Sequence, residues 1–317
     1  MVFIMLRKVE SLLIKKINTS LRFGQYFRES KWLYMTNTGI LFIVATPIGN
    51  LDDVSQRAAE VLANVNIIAA EDTRHTRKLL NQLKIDTPLT AYHDHSDAKK
   101  ADKLLLRVQQ GQSVALVSDA GTPLISDPGY RLVRLARKSG ITVRPIPGAS
   151  AVIAALSVAG LATDKFIFEG FLPAKASARN KKLIELAFES RTLVFYESPH
   201  RVVKTMAALN EILGKERQIF IGRELTKKFE SHFFGEVQKG LIWLGEDRDQ
   251  QKGEFVIVVA GCEPELFDAY QRQQALALIK ILRKDLSLNR AVSISSHVFA
   301  ARKNQLYALA LAEDAEE

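Results

Sequence analysis

Cysteine is nearly absent from this 317-residue chain, in which Cys262 stands alone. A single thiol excludes an intramolecular disulfide and a cysteine-built zinc site, and it fits a reducing compartment such as the cytoplasm. No apolar run reaches the ~18 residues that a membrane span needs, so no membrane partner is expected. Two nucleotide fingerprints are missing as well. There is no Gly-x-x-x-x-Gly-Lys-Ser/Thr loop and no Gly-x-Gly-x-x-Gly, which argues against nucleotide hydrolysis and hydride transfer. Internal repeats and low-complexity tracts are also lacking.

What is present has ordinary globular composition: 47% hydrophobic, 25% charged, net charge +9. The length suits about two domains. The charge is uneven. Residues 1–34 hold seven basic and two acidic side chains, whereas residues 262–317 hold seven basic and eight acidic ones. The middle keeps a modest basic excess, compatible with a nucleic-acid partner. Residues 1–37 have no tidy apolar core and no small-residue cleavage site, so they do not read as a secretory signal. They read as an extension outside the fold, with Met35 as the working start, or else as an organellar presequence.

From Ile40 the pattern alternates strand and helix. Residues 40–45 form a continuous apolar run, the mark of a strand covered on both faces. Residues 67–70, 114–117 and 142–146 read as further strands, and 99–110, 130–138 and 151–159 as helices. The stretch Gly160-Leu-Ala-Thr163 ends this series. A second series follows, with strands at 166–168, 192–196, 218–222 and 255–259, helices at 181–188 and 202–213, and room for a hairpin within 224–237. The expected organisation is an α/β domain over 38–161, a second α/β domain over 162–261, and a small helix-turn-helix-like tail over 266–317.

Chemistry concentrates in the loop after the 114–117 strand. It reads Ser118-Asp119-Ala120-Gly121-Thr122-Pro123, then Ser126-Asp127-Pro128-Gly129. In open parallel sheets ligands bind beyond the carboxyl ends of strands. Small residues let a ligand approach the main chain closely, and the aspartates suit a cationic ligand. A plain strand-to-helix turn seldom needs twelve such residues.

Seven motifs extend this loop into a resemblance. They are Ala45-Thr-Pro-Ile-Gly-Asn-Leu-Asp52, Ala70-Glu-Asp-Thr-Arg-His75, Val117 to Tyr130, Pro145-Ile-Pro-Gly-Ala-Ser150, Phe168-Glu-Gly-Phe-Leu-Pro-Ala-Lys175, Phe195-Tyr-Glu-Ser-Pro-His-Arg201 and Gly222-Arg-Glu-Leu-Thr-Lys227. In that order they resemble the ribosomal RNA small subunit methyltransferase I family, of the tetrapyrrole methylase-like fold. The resemblance covers about residues 38–261. It implies two α/β domains with S-adenosylmethionine in the cleft between them, 2′-O-methylation of a cytidine ribose in the decoding region of 16S rRNA within the small subunit, and a homodimer.

The same resemblance supplies a cofactor set: Pro47, Asp119, Ala120, Gly121, Thr122, Pro123, Ile125, Ser126, Asp127, Pro147, Gly148, Ala149, Ser150 and Ala151, with Phe171, Leu172, Tyr196, Gly253 and Glu254 from the second domain. A ribose hydroxyl is a weak acid, so a base or a nearby cation helps it lose its proton. Glu71, Asp72 and His93 are the base candidates, and Lys175 is a candidate for stabilising the alkoxide. Arg74, His95, Lys175, Arg179, Lys181, Lys182 and Arg201 are the candidate RNA contacts, four of them in the acid-free stretch 173–182. His93 and His95 lack a third ligand, so no metal is expected. Two other readings stay open: a small-molecule tetrapyrrole methylase on the same fold, and a non-catalytic RNA-binding assembly protein.

Overall fold

The computed structural model describes residues 39–93, 98–299 and 301–316. The extension 1–37 and the RNA candidate His95 lie outside these residues.

The first half builds β1 (Ile40–Val44), α1 (Gln56–Asn64), β2 (Ile67–Ala70), α2 (Thr73–Gln82), β3 (Leu89–Ala91), α3 (Ala98–Gln109), β4 (Val114–Val117), α4 (Tyr130–Lys138), β5 (Thr142–Ile146) and α5 (Ala151–Val158). Its five strands form a parallel sheet in the order β3-β2-β4-β1-β5. Successive side chains of a strand point to opposite faces. Ile40, Phe42 and Val44 therefore join Val61, Leu62 and Leu80 on one face, while Leu41 and Leu116 join Leu104, Leu105 and Leu132 on the other. The chain leaves β1 toward β2 and leaves its neighbour β4 toward β5, in opposite directions along the sheet. That reversal opens a crevice at the carboxyl ends of β1 and β4.

The second half builds β6 (Phe166–Phe171), α6 (Ala176–Leu186), β7 (Thr192–Glu197), α7 (Val202–Ile212), β8 (Gln218–Arg223), β9 (Ser231–Glu236), α8 (Val237–Glu246) and β10 (Phe255–Val259). The sheet order is β6-β7-β10-β8-β9, with β6 parallel to β7 and the other pairs antiparallel. One face buries Phe195, Ile221 and Ile257 with Leu183, Met206, Leu209 and Leu244 of α6, α7 and α8. The opposite face is covered by α5, whose Val152, Ala155 and Leu156 pack on Val194, Phe220, Val256 and Val258. A helix that begins at the end of β5 thus belongs to the core of the other sheet, and this packing draws the two sheets together.

The tail is three helices, α9 (Pro264–Leu282), α10 (Leu288–Val298) and α11 (Lys303–Glu316). They share a small core of Ala275, Ile279, Ala291, Val292, Leu306 and Ala310. Phe188 stacks on Tyr270 at 4.0 Å between ring centres and ties α9 to the second sheet's helices. No helix among the described residues is long and apolar enough to cross a membrane.

Three helices depart from the sequence reading. α2 follows the charged run after β2 and buries only Thr76 and Leu80, which leaves little apolar periodicity to see. α8 carries Gly240, which reads as a breaker; a Cβ there would come within 2.8 Å of Ile219 Cδ1, so the glycine lets the helix lie close on β8. α6 starts at Ala176 rather than at 181, because its first turn is polar and small.

Ala155 is fully enclosed in the α5 contact. Ala155→Leu is expected to lower stability by about 1–3 kcal/mol through overpacking. Urea melts measure this, and an unchanged midpoint would show that the contact tolerates slack.

Candidate functional site

The crevice is organised by a backbone bridge. Thr46, just past β1, donates its N–H to the Gly121 carbonyl at 2.8 Å and accepts the Gly121 N–H at 3.0 Å. This clamps the loop after β4 onto the loop after β1. Gly121 takes φ +75°, and the non-glycine residues Leu124 and Ser126 take φ +75° and +67°. Left-handed conformations at such residues cost about 1–3 kcal/mol each and persist only when the surroundings enforce them. Here the surroundings do so. Thr122 Oγ1 donates to the Ala149 carbonyl at 3.1 Å, and the side chain of Leu124 lies against Gly129. Ser126 Oγ sits where a Cβ on Gly170 of β6 would be only 2.9 Å away. The loop is therefore wedged between the two sheets.

A cavity of about 430 Å³ opens there, within the roughly 300–1,000 Å³ of small-molecule sites. Of the residues expected around a cofactor, Asp119, Ala120, Gly121, Thr122, Ile125, Ser126, Asp127, Ser150, Ala151, Phe171, Tyr196 and Glu254 line it. Pro47, Pro123, Pro147, Gly148, Ala149, Leu172 and Gly253 do not reach the lining. Some of these support it from behind. Gly148 lets the β5–α5 turn close on β1, since a Cβ there would lie 3.0 Å from the Ala45 Cβ. Gly253 takes φ +89° with Glu224 packed against it.

The sequence reading missed Ile48, Glu197, Ser198, Pro199, Gly222, Leu225, Lys227, Phe255 and Val256, which complete the lining. Glu197 and Lys227 could have been suspected, since both are charged residues within the quoted motifs. Glu197 is fully enclosed and accepts from Thr205 Oγ1 at 2.6 Å and from the Ser198 N–H at 2.8 Å. Arg201 Nε lies 3.2 Å from it, and Arg201 Nη2 also donates to the Leu172 carbonyl. This network fixes the turn next to Phe171. Lys227 Nζ donates to Glu224 and Glu254, both at 2.8 Å. Its stem lies so close to Gly49 that a Cβ there would be 2.2 Å from Lys227 Cγ, a second contact across the crevice.

The lining is acidic. Burial, then the charges of Asp119 and Asp127, push the Glu71 carboxyl above its ordinary value. Burial, then Asp119, does the same for Asp127. Tyr196 is pushed up to about 12 by burial and by Asp127, so it stays a neutral phenol. Its ring stands edge-on to Phe168 and Phe171, with centres 4.9 and 5.6 Å away.

The catalytic candidates now separate. Glu71 lines the cavity. Asp72 does not: it caps α2 and gives both carboxylate oxygens to Arg74, at 3.1 and 2.7 Å. Those bonds hold Asp72 well below the usual carboxylate range, which makes it a poor proton acceptor. His93 is exposed and Lys175 caps α6 at the surface, both away from the lining. Two of the RNA candidates are not the exposed cations expected. Arg201 turns inward to Glu197, and Arg179 is only 7% exposed, so neither is a free surface cation. Arg74 and Lys181 are exposed, the former paired with Asp72; Lys182 pairs with Glu169 at 2.9 Å. Among the described residues no group of three His, Cys, Asp or Glu is placed to hold a metal ion.

Known proteins resemble this arrangement. A family model for tetrapyrrole (corrin/porphyrin) methylases matches residues 41–239. Ribosomal RNA small subunit methyltransferase I of Pasteurella multocida is 49% identical over 270 residues, covering 85% of this chain and 96% of that one. The protein of the same name from Escherichia coli O157:H7 is 47% identical over 273 residues, covering 86% and 95%. Among solved structures, the methyltransferase CobJ superposes with a TM-score of 0.54 at 19% identity, covering 71% of this chain and 95% of that one. A likeness at that identity speaks for the fold.

Glu197→Ala is expected to cost about 3–5 kcal/mol, because it leaves Arg201 largely enclosed without its counter-charge. A loss below about 1 kcal/mol in urea unfolding would show that the network is not what fixes this wall.

Proposed function

The chain belongs to the ribosomal RNA small subunit methyltransferase I family, within the tetrapyrrole methylases, and from that premise we propose that it methylates a cytidine ribose 2′-hydroxyl in the decoding region of 16S rRNA. The enzyme is an S-adenosylmethionine-dependent methyltransferase, as its family is. The acceptor is read as the small ribosomal subunit, and the working form as a cytoplasmic homodimer.

The observation that carries this reading is the acidic, half-enclosed cavity at the β1–β4 crevice. S-adenosylmethionine combines a sulfonium, an ammonium and a carboxylate, for a net positive charge. Glu71, Asp119 and Asp127 face that charge in a partly water-excluded space, where attraction is stronger than in bulk water. Ser150, Ala151 and the loop backbone leave room at one wall, and Phe171 and Tyr196 give the other an apolar surface. When bound, the cofactor supplies an electrophilic methyl group.

The chain's own work is orientation and proton transfer. The clamped loop fixes one reactant, and such positioning alone can contribute several kcal/mol. Glu71 is the proposed base that takes the ribose proton. Its raised affinity for protons makes it a better acceptor than an ordinary carboxylate. The same shift has a stability consequence. A carboxyl whose folded-state pKa is raised holds its proton longer when folded, so folding weakens as the pH rises from the ordinary carboxylate value through the raised one. A cationic ligand relieves that repulsion.

Ribose-methylation mapping of 16S rRNA, with and without the protein, tests the assignment; an unmodified decoding region in both would refute it. Glu71→Gln should lower the single-turnover rate by about 10²-fold or more and remove the acid limb of the pH–rate profile. S-adenosylmethionine affinity should fall as the pH drops through the raised Glu71 and Asp127 values, more steeply than that of the thioether product, which lacks the sulfonium charge. Parallel pH dependences in calorimetry would rule out charge selection by these carboxylates.

A further inference from the structure

Beyond the cavity, the second wall leads into a helix head of opposite charge. Phe171 lines the cavity at the end of β6, and α6 begins at Ala176. Residues 170–184 contain no acid, and Glu169, just before them, is paired with Lys182 at 2.9 Å. Lys175 occupies the cap position of α6 and makes no side-chain capping bond, so the first turn keeps its N–H groups without a side-chain acceptor.

Arg179 stands four residues into this helix. It is 7% exposed, its Nε is enclosed without a hydrogen-bond partner, and no salt bridge reaches it among the described residues. Arg201 Nε also lacks a hydrogen bond, but the other inward-turned arginines of this half each have an acceptor for their guanidinium. Arg201 has Glu197 and the Leu172 carbonyl. Arg217 has the Ala187 and Ala260 carbonyls, and Arg223 has those of Lys252 and Phe229. An enclosed guanidinium N–H without an acceptor is disfavoured, and an anion would satisfy it. Helical side chains lean toward the N-terminus of their helix, which carries Arg179 back over the first turn. Free first-turn N–H groups and a guanidinium fork are the two features that recognise phosphate.

We propose that the head of α6 is a phosphate-binding site, filled by one phosphodiester of the RNA acceptor. Arg179 grips it, the first-turn N–H groups complete the cradle, and Lys175 sits at the rim. The proposal rests on the RNA-methylating reading above. Phe171 and Lys175 are four residues apart, at most about 14 Å, so the gripped phosphate lies close to the ribose that meets the cavity. The site registers the RNA strand on the cleft.

Arg179→Met and Arg179→Lys in the full chain test it, with unmethylated small subunits as substrate. Arg179→Met should raise KM for subunits about tenfold, reduce the slope of log affinity against log salt by about 1, and leave the Kd for S-adenosylmethionine and kcat nearly unchanged. Its melting temperature should not fall, since an unpaired enclosed charge has been removed. Inorganic phosphate should raise the melting temperature of the wild type and not that of Arg179→Met, with Arg179→Lys between. A lower melting temperature with an unchanged KM would show a structural arginine and overturn the proposal. If the wild type itself leaves subunits unmethylated, the RNA reading is what fails, and stabilisation by inorganic phosphate still decides whether Arg179 holds an anion.

Discussion

Three carboxylates, Glu71, Asp119 and Asp127, share one half-enclosed cavity, and much of the fold serves to keep them there. Left to themselves, like charges in a partly desolvated space move apart or take up protons. Glu71 and Asp127 are both pushed up in pKa, the second tendency, and the rigid surroundings prevent the first. Glu71 is fixed at the end of β2, one residue before the cap of α2. The Asp72 N–H donates to Asp119 Oδ1 at 2.9 Å, which ties the end of β2 to the loop after β4. That loop is in turn held by the Thr46–Gly121 bridge and by the left-handed turns at Leu124 and Ser126. The strain of the loop and the repulsion of the acids are thus two sides of one arrangement, which favours a cation entering the cavity.

Closing the cavity requires the second sheet, and the contacts that bring it close are few and specific. Helix α5 is apolar along most of its length and fills the face that β7, β8 and β10 leave open. Ser126 against Gly170 and Lys227 against Gly49 then set the gap between the walls. Lys227 contributes little positive field to the cavity, because Glu224 and Glu254 both hold its ammonium. The opposite wall owes its shape to Glu197, which holds Arg201 and through it the Leu172 carbonyl. A charged network here positions an aromatic side chain rather than offering a charge to a ligand.

These distinctions set the limit of what the sequence showed. The buried strands were legible because continuous apolar runs such as 40–44 and 255–259 leave little other choice. The loop after β4 was legible because its glycines, prolines and small residues make a distinctive strand end. Helix α2 was hidden behind its charges, and α8 behind Gly240. Side-chain direction was least legible of all. Arg201 and Arg179 read as surface cations because arginine usually is one, yet the first is claimed by Glu197 and the second is enclosed. Asp72 read as a base on the same footing as Glu71, and only its place outside the cavity and its pairing with Arg74 separate them. Such pairings join residues by tertiary packing or by cap geometry, and composition does not encode them.

On the proposed reading, the division of charge also explains how one cleft takes two ligands of opposite sign. The donor is cationic and the acceptor strand is a polyanion. Glu71, Asp119 and Asp127 attract the first and repel the second. The acid-free start of α6 does the reverse, and it lies only a few residues beyond Phe171. Exposed charges are screened over about 8 Å at physiological ionic strength, so each field acts mainly on what touches its own wall. An RNA strand drawn to α6 is therefore kept from pushing its phosphates into the donor cavity, while a ribose, which carries no charge, can approach the boundary between the two fields. Glu71, in the cavity lining, suits that meeting point. It is close enough to the acids to be pushed up in pKa, and still partly exposed to the incoming hydroxyl.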